Sequence, residues 1–130
     1  MMIINDPAVH AEMSALFARY EEALVSNNIA LLDEFFWNDE RTIRYGGAEN
    51  LYGSAEILAF RKARSAQGLS RHLSRTVITT FGTDMATCST LFHRDNAPDK
   101  VGRQMQTWIR LPTGWRIVAA HVSLIPADQS

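Results

Sequence analysis

Residues 101–123, VGRQMQTWIRLPTGWRIVAAHVS, decide the fold. Val101–Leu111 and Trp115–Ile125 are rich in β-branched and aromatic residues, and Pro112-Thr113-Gly114 between them is turn chemistry, so the stretch predicts two antiparallel strands. It also carries more polar groups than a structural hairpin needs: Arg103, Gln104, Gln106, Arg116, His121 and Ser123. Alternate residues of a strand share a face. Ala119, His121 and Ser123 are therefore expected on one face, with Val118, Ala120 and Val122 on the other. That pattern predicts a sheet packed on one side and lining a cavity on the other. The same rule puts Gln104 and Gln106 on one face and Arg103 on the opposite one.

Working outward, Leu73–Phe81, the turn Gly82-Thr83-Asp84 and Met85–His93 predict a preceding hairpin. Arg94–Lys100, with Pro98 inside it, reads as a polar loop. The N-terminal half is helical in pattern. Asp6 and Pro7 are a helix start, and Val9, Met13, Leu16, Phe17, Tyr20 and Leu24 recur at steps of three and four. Ser26-Asn27-Asn28 ends that helix and opens a second, with Leu31, Leu32, Phe35 and Phe36 directed at the core. Glu40–Tyr45 is expected as a short strand closed by Gly46-Gly47. Ser54 is expected to cap a third helix running from Ala55 to about Ser65. Three helices followed by a mostly antiparallel sheet is an α+β pattern, and a curved sheet covered on one face by helices encloses a cone-shaped pocket.

At 130 residues the chain is sized for one domain, 1–130, with a single core. The formal charge of -1 supplies no electrostatic reason for a nucleic-acid partner. The single Cys88 excludes an intramolecular disulfide and a multi-cysteine metal site. The four histidines, His10, His72, His93 and His121, are scattered without metal-ligand spacing, so no metal and no cofactor is expected. There is no membrane-length apolar run and no leader pattern, which makes a cytoplasmic protein the default expectation.

The basic residues carry the functional signal. Arg61, Lys62, Arg64, Arg71, His72 and Arg75 crowd into positions 61–75, and Arg44-Tyr45 ends a strand where a sheet opens. Cations near a helix C-terminus ordinarily lie in water. A cavity taking some of them would suit an anion, because the guanidinium fork holds a carboxylate through two parallel hydrogen bonds. Arg44, Arg61, Arg64, Arg71 and Arg103 are the candidates, with Tyr45 and Ser123 beside them and Gln104 or Gln106 to read an amide. Tyr20 lies on the inward stripe of the first helix, where a buried hydroxyl requires a partner.

The order α-α-β-α-β-β-β-β, opened by RYEEALVSNNIALLDEFF, resembles the nuclear transport factor 2-like superfamily, which also holds ketosteroid isomerase and the SnoaL-like cyclases. In that resemblance Tyr20 takes the place of the isomerase's oxyanion-stabilising tyrosine. The isomerase's general-base aspartate has no counterpart, since Arg44-Tyr45 stands there, and its second acid is replaced near Thr107. Ketosteroid-type carbanion chemistry is therefore not implied. IRYGGAENLYG, FRKAR, GRQMQTWIR and GWRIVAAHVS together resemble the AtzH-like family, which takes in HpxZ and is associated with oxalurate catabolism. Met105 departs from that pattern, between the two glutamines.

The resemblance implies a cofactor-free decarboxylase of an N-carboxylated urea or amide, such as 1,3-dicarboxyurea or N-carboxyoxamate, in purine or s-triazine breakdown. Such a reaction needs a cationic clamp and a proton donor at the C–N bond. Tyr20 beside an arginine is the first candidate donor and His121 the second, with Arg44 as the catalytic cation. The alternative is a non-catalytic accessory domain that binds a partner amidase or its product. The resemblance also implies a homodimer paired through the outer sheet face.

Overall fold

The first helix starts where the sequence predicts. In the computed structural model, which describes residues 1–129, the Asp6 carboxylate accepts from the Val9 amide at 3.2 Å, and α1 runs Pro7–Val25. Asn27, at φ 53°, turns the chain, and the Asn28 side chain accepts from the Leu31 amide to open α2, Ile29–Phe35. A third helix, α3, spans Ser54–Ala63. Ser54 is not its cap. Gly53 holds that position at φ 89°, in the left-handed region glycine favours, and the Ser54 hydroxyl donates instead to Asn38 at 3.1 Å.

The sheet has six strands: β1 Ile43–Tyr45, β2 Asn50–Tyr52, β3 His72–Phe81, β4 Met85–His93, β5 Lys100–Leu111 and β6 Gly114–Pro126. Their spatial order is β2-β1-β6-β5-β4-β3, and every pairing is antiparallel except β1 with β6. The strand expected at 40–45 begins only at Ile43. Asp39 takes the preceding residues into a turn, accepting from the Arg41 amide at 2.8 Å and the Thr42 amide at 3.3 Å. β2 has no counterpart in the sequence reading; three residues are too few to show an alternation.

Two bulges set the curvature. In β3, Arg75 and Thr76 together face Thr90, with Arg75 at φ 51°. In β6, Thr107 pairs with Ala119 while Trp108 pairs with Ile117, leaving Val118 as the extra residue. A bulge of one residue reverses the facing of everything beyond it. Trp115 and Ile117 point to the core, and past the bulge Ala120 and Val122 follow them. His121 and Ser123 are carried to the outer face. The hairpin's two faces are thus not one apolar wall and one cavity wall.

Core and cavity share the inner face. At one end Trp108, fully buried, meets Tyr20 and Phe35 edge-on at ring separations of 6.4 and 5.6 Å. Met13, Phe17, Leu32, Phe36, Ile57 and Ile117 close around them. Proceeding along β5 from Trp108, the inward residues become Gln106 and then Gln104, and the packing turns from apolar to polar.

Candidate functional site

Beyond Gln104 lies a pocket of about 160 Å³ that opens to solvent. Its lining is Arg44 from β1, Gly47 from the β1–β2 turn, Arg64 from the end of α3, Arg71 and Arg94 flanking the β3–β4 hairpin, Tyr20 and Leu24 from α1, Phe92, Gln104, Val122 and Leu124. The volume matches roughly five water molecules of liquid, which suits a small polar ligand rather than a drug-sized one. A larger hollow of about 630 Å³ lies between α2, α3 and the β5–β6 turn, but it is an open groove. Arg116 there spends its guanidinium on the Trp115 and Thr113 carbonyls, and none of the groove's described side chains has a buried polar atom without a partner.

The cations around the cavity are held in different ways. Arg44 donates to Glu49 at 2.9 Å. Arg71 forks onto both oxygens of Glu21 at 2.8 and 2.6 Å, and its Nη2 also reaches Gln104 Oε1 at 3.0 Å. Arg61, 1% exposed, lies behind the cavity wall over the Phe36 ring and donates to the Tyr20 hydroxyl at 3.3 Å. Two phenyl rings organise the rest. Arg44 and Arg64 lie 5.0 and 5.8 Å from the centre of Phe60, and Arg71 and Arg94 lie 4.4 and 4.8 Å from the centre of Phe92.

Among the described residues, these five guanidiniums therefore meet two carboxylates, Glu21 and Glu49, and Arg61, Arg64 and Arg94 have none. The strain shows in their acidity. Burial, then repulsion from Arg61 and Arg44, brings the Arg64 guanidinium down to about 10. Burial, then Arg71, also lowers that of Arg94. Seven buried nitrogens here have no hydrogen-bond partner: Nε and Nη1 of Arg61, Nε and Nη2 of Arg64, Nε of Arg94, and the amide nitrogens of Gln104 and Gln106. All are donors. Buried donors left unmade are costly, and those of Arg64, Arg94 and Gln104 belong to residues that line the cavity.

The sequence candidates divide accordingly. Tyr20, Arg44, Arg64 and Arg71 line the cavity, with Arg61 behind Tyr20. Gln106 faces the same way, its carbonyl taken by the Trp108 indole N–H at 3.0 Å. Each glutamine carbonyl already accepts one bond, Gln104 from Arg71 and Gln106 from the Trp108 indole, while both amide nitrogens are buried without a partner. Four expectations are corrected. Arg103 is exposed on the outer face and donates to Ser123 at 3.2 Å, as strand alternation dictates. His121 and Ser123 lie on that same outer face because of the Val118 bulge. Tyr45 also faces outward, its hydroxyl 3.1 Å from that of Tyr52 and its ring edge-on to His121. Arg94 was missed, since a polar residue heading a Pro-containing loop carries no periodicity. Arg61 had a legible signal: it stands four residues after the buried Ile57, on the same helix face.

An α+β cone with three helices over a curved six-stranded sheet is the fold of the nuclear transport factor 2-like class. Within that class the chain belongs to the AtzH-like family, whose model matches residues 2–128. It is similar to a protein of unknown function from Pectobacterium atrosepticum, at 59% identity over 94% of each chain with a TM-score of 0.92. A cystatin-like fold protein from Burkholderia xenovorans is 51% identical over 96% of this chain and 98% of its own, with a TM-score of 0.91. A nuclear transport factor 2-like superfamily protein from Salmonella enterica, at 22% identity over 89% and 90% of the chains and a TM-score of 0.69, shares the fold. No curated protein matches the chain.

Proposed function

We propose that the cavity binds a small dicarboxylate and removes carbon dioxide from its N-carboxylated end, as in 1,3-dicarboxyurea or N-carboxyoxamate. The observation that carries this reading is the set of unpartnered N–H donors on Arg64, Arg94 and Gln104, which line the cavity together with Tyr20, whose hydroxyl accepts from Arg61 behind it. Arg61 donates to the Tyr20 oxygen, so the phenolic proton is not used in that bond and is available to a ligand in the cavity.

In the proposed step the C–N bond of R–NH–COO⁻ breaks, its electron pair stays on nitrogen, and Tyr20 delivers the proton that nitrogen takes up. Carbon dioxide departs, and solvent returns a proton to the phenolate, which Arg61 stabilises meanwhile. Arg44 and Arg64 hold the departing carboxylate in place. With His121 on the outer face, Tyr20 stands as the proton donor.

The test is carbon dioxide release from N-carboxylated urea or oxamate freshly generated by an amidase. The expected result is acceleration by the protein and loss of about 10²–10⁴-fold in Tyr20→Phe. No acceleration by the folded protein refutes the reading. The accessory-domain alternative then takes its place, tested by capture of the amidase. Homodimer formation is a separate expectation, supported by exposed Val77, Met105 and Tyr52 on the outer face; a monomeric mass in solution refutes it.

A further inference from the structure

The two cation pairs differ in what they leave free. On the Phe60 side, Arg64 and the underlying Arg61 have spare donors beside the Tyr20 hydroxyl. On the Phe92 side, Arg71 commits three of its five N–H groups. Its fork lies on Glu21, which offsets its charge, and its Nη2 also donates to the carbonyl oxygen of Gln104. That bond decides the orientation of the Gln104 amide. With oxygen held by Arg71, the Nε2 donor is buried and without a partner, and Gln104 itself is 2% exposed. Arg94, sharing the Phe92 ring with Arg71, contributes a second buried and unpartnered donor, its Nε. Phe92 is seated by Gly102, its partner across the strands, where any Cβ would overlap the ring.

We propose that Arg94 and Gln104 form a second carboxylate subsite, which holds the carboxylate that the reaction leaves behind and makes the cavity select dianions over monoanions. This rests on the dicarboxylate reading above and adds the residues and the selectivity. Arg94 supplies charge, Gln104 supplies a neutral N–H, and Arg71, braced by Glu21, fixes the orientation of the Gln104 amide. The unpartnered groups of the subsite are both donors. A ligand with a terminal amide or ureido NH₂ at this end would set donor against donor, whereas a carboxylate accepts from both. The Tyr20 end is thereby reserved for the other carboxylate.

The test uses unreactive probes, so it does not depend on turnover. Malonate, succinate and acetate are titrated calorimetrically into the intact protein, into Arg94→Met and into Gln104→Leu. The unaltered protein is expected to bind the better dicarboxylate at least tenfold tighter than acetate. Each variant is expected to lose about ten- to hundredfold in dicarboxylate affinity while acetate affinity stays within about threefold. A merely structural role would weaken both probes together. Should Arg94→Met fail to fold, Gln104→Leu carries the same comparison. Equal binding of dicarboxylate and acetate by the unaltered protein overturns the proposal, and so does a variant that keeps the preference. Dianion selectivity without carbon dioxide release sinks the decarboxylase reading alone. Release with the preference intact in both variants sinks this one alone.

Discussion

Replacing Arg64 with Met should make the empty protein more stable and the liganded protein less so. The guanidinium has no carboxylate partner, its Nε and Nη2 are sealed from solvent, and Arg61 and Arg44 repel it. The fall from the ordinary arginine value to about 10 reflects how far burial and the neighbouring cations disfavour the charge. At about 1.4 kcal/mol per pH unit that is roughly 3 kcal/mol, which must be cut to about 1–2 kcal/mol because the residue as a whole is only half-buried. Methionine keeps most of the apolar stem that packs beside Phe60. For a domain of this length the gain corresponds to a rise in Tm of roughly 4–8 °C. The assay is thermal unfolding in a dilute zwitterionic buffer, with and without malonate. Malonate at 100 times its Kd should stabilise the unaltered protein by about 2.7 kcal/mol, or roughly 10 °C, and Arg64→Met should lose most of that increment. An Arg64→Met protein that melts below the unaltered one in anion-free buffer, or that keeps the full malonate increment, would refute the claim that this cation is stored for a ligand. The sign with pH follows from the lowered value. The penalty is fully present below about pH 10 and is relieved as pH rises from about 10 towards the ordinary arginine value, because the folded protein sheds the proton first.

Other outcomes follow from the same geometry. Gly102→Ala should cost about 1–3 kcal/mol by overpacking against Phe92, measured by denaturant unfolding, and should blunt dicarboxylate binding because Arg71 and Arg94 rest on that ring. His121→Ala should leave anion binding within about twofold, since the ring lies outside the cavity; a larger loss by calorimetry would place His121 back in the site. Glu12 accepts from the Trp115 indole at 2.7 Å and from Arg110 at 2.6 Å, and these bonds hold its carboxyl below the usual 4.5. Glu12→Gln should therefore cost about 0.5–1 kcal/mol at neutral pH, a modest figure for so exposed a group. That difference should shrink as pH falls below 4.5 through the lowered value, and melting curves that keep it undiminished at pH 3 would contradict the assignment.

Helix starts, turns and most strands were legible in the sequence because their causes are local. Asp6-Pro7 caps α1, Asn28 caps α2, and β4 spans Met85–His93 as its alternation predicts. Alternation along β5 also separated Gln104 and Gln106 from Arg103 correctly, because that strand is regular in its own facing. The basic residues at 61–75 suggested that some would face a cavity, and Arg64 and Arg71 do line one with Tyr20 and Arg44, while Arg61 lies behind Tyr20. Tertiary structure decided what depends on partners distant in the chain. The Val118 bulge exists only in the register between β5 and β6, and it moved His121 and Ser123 to the outside. Arg94 became a cavity residue because Phe92 offers it a ring beside Arg71. Which cations are free was settled by Glu21 and Glu49, since a guanidinium's charge counts at a site only where no carboxylate answers it. Sequence determines which residues carry charge and how each segment prefers to run. Only folding brings segments tens of residues apart within bonding distance, and that distance determines which donors a ligand must satisfy.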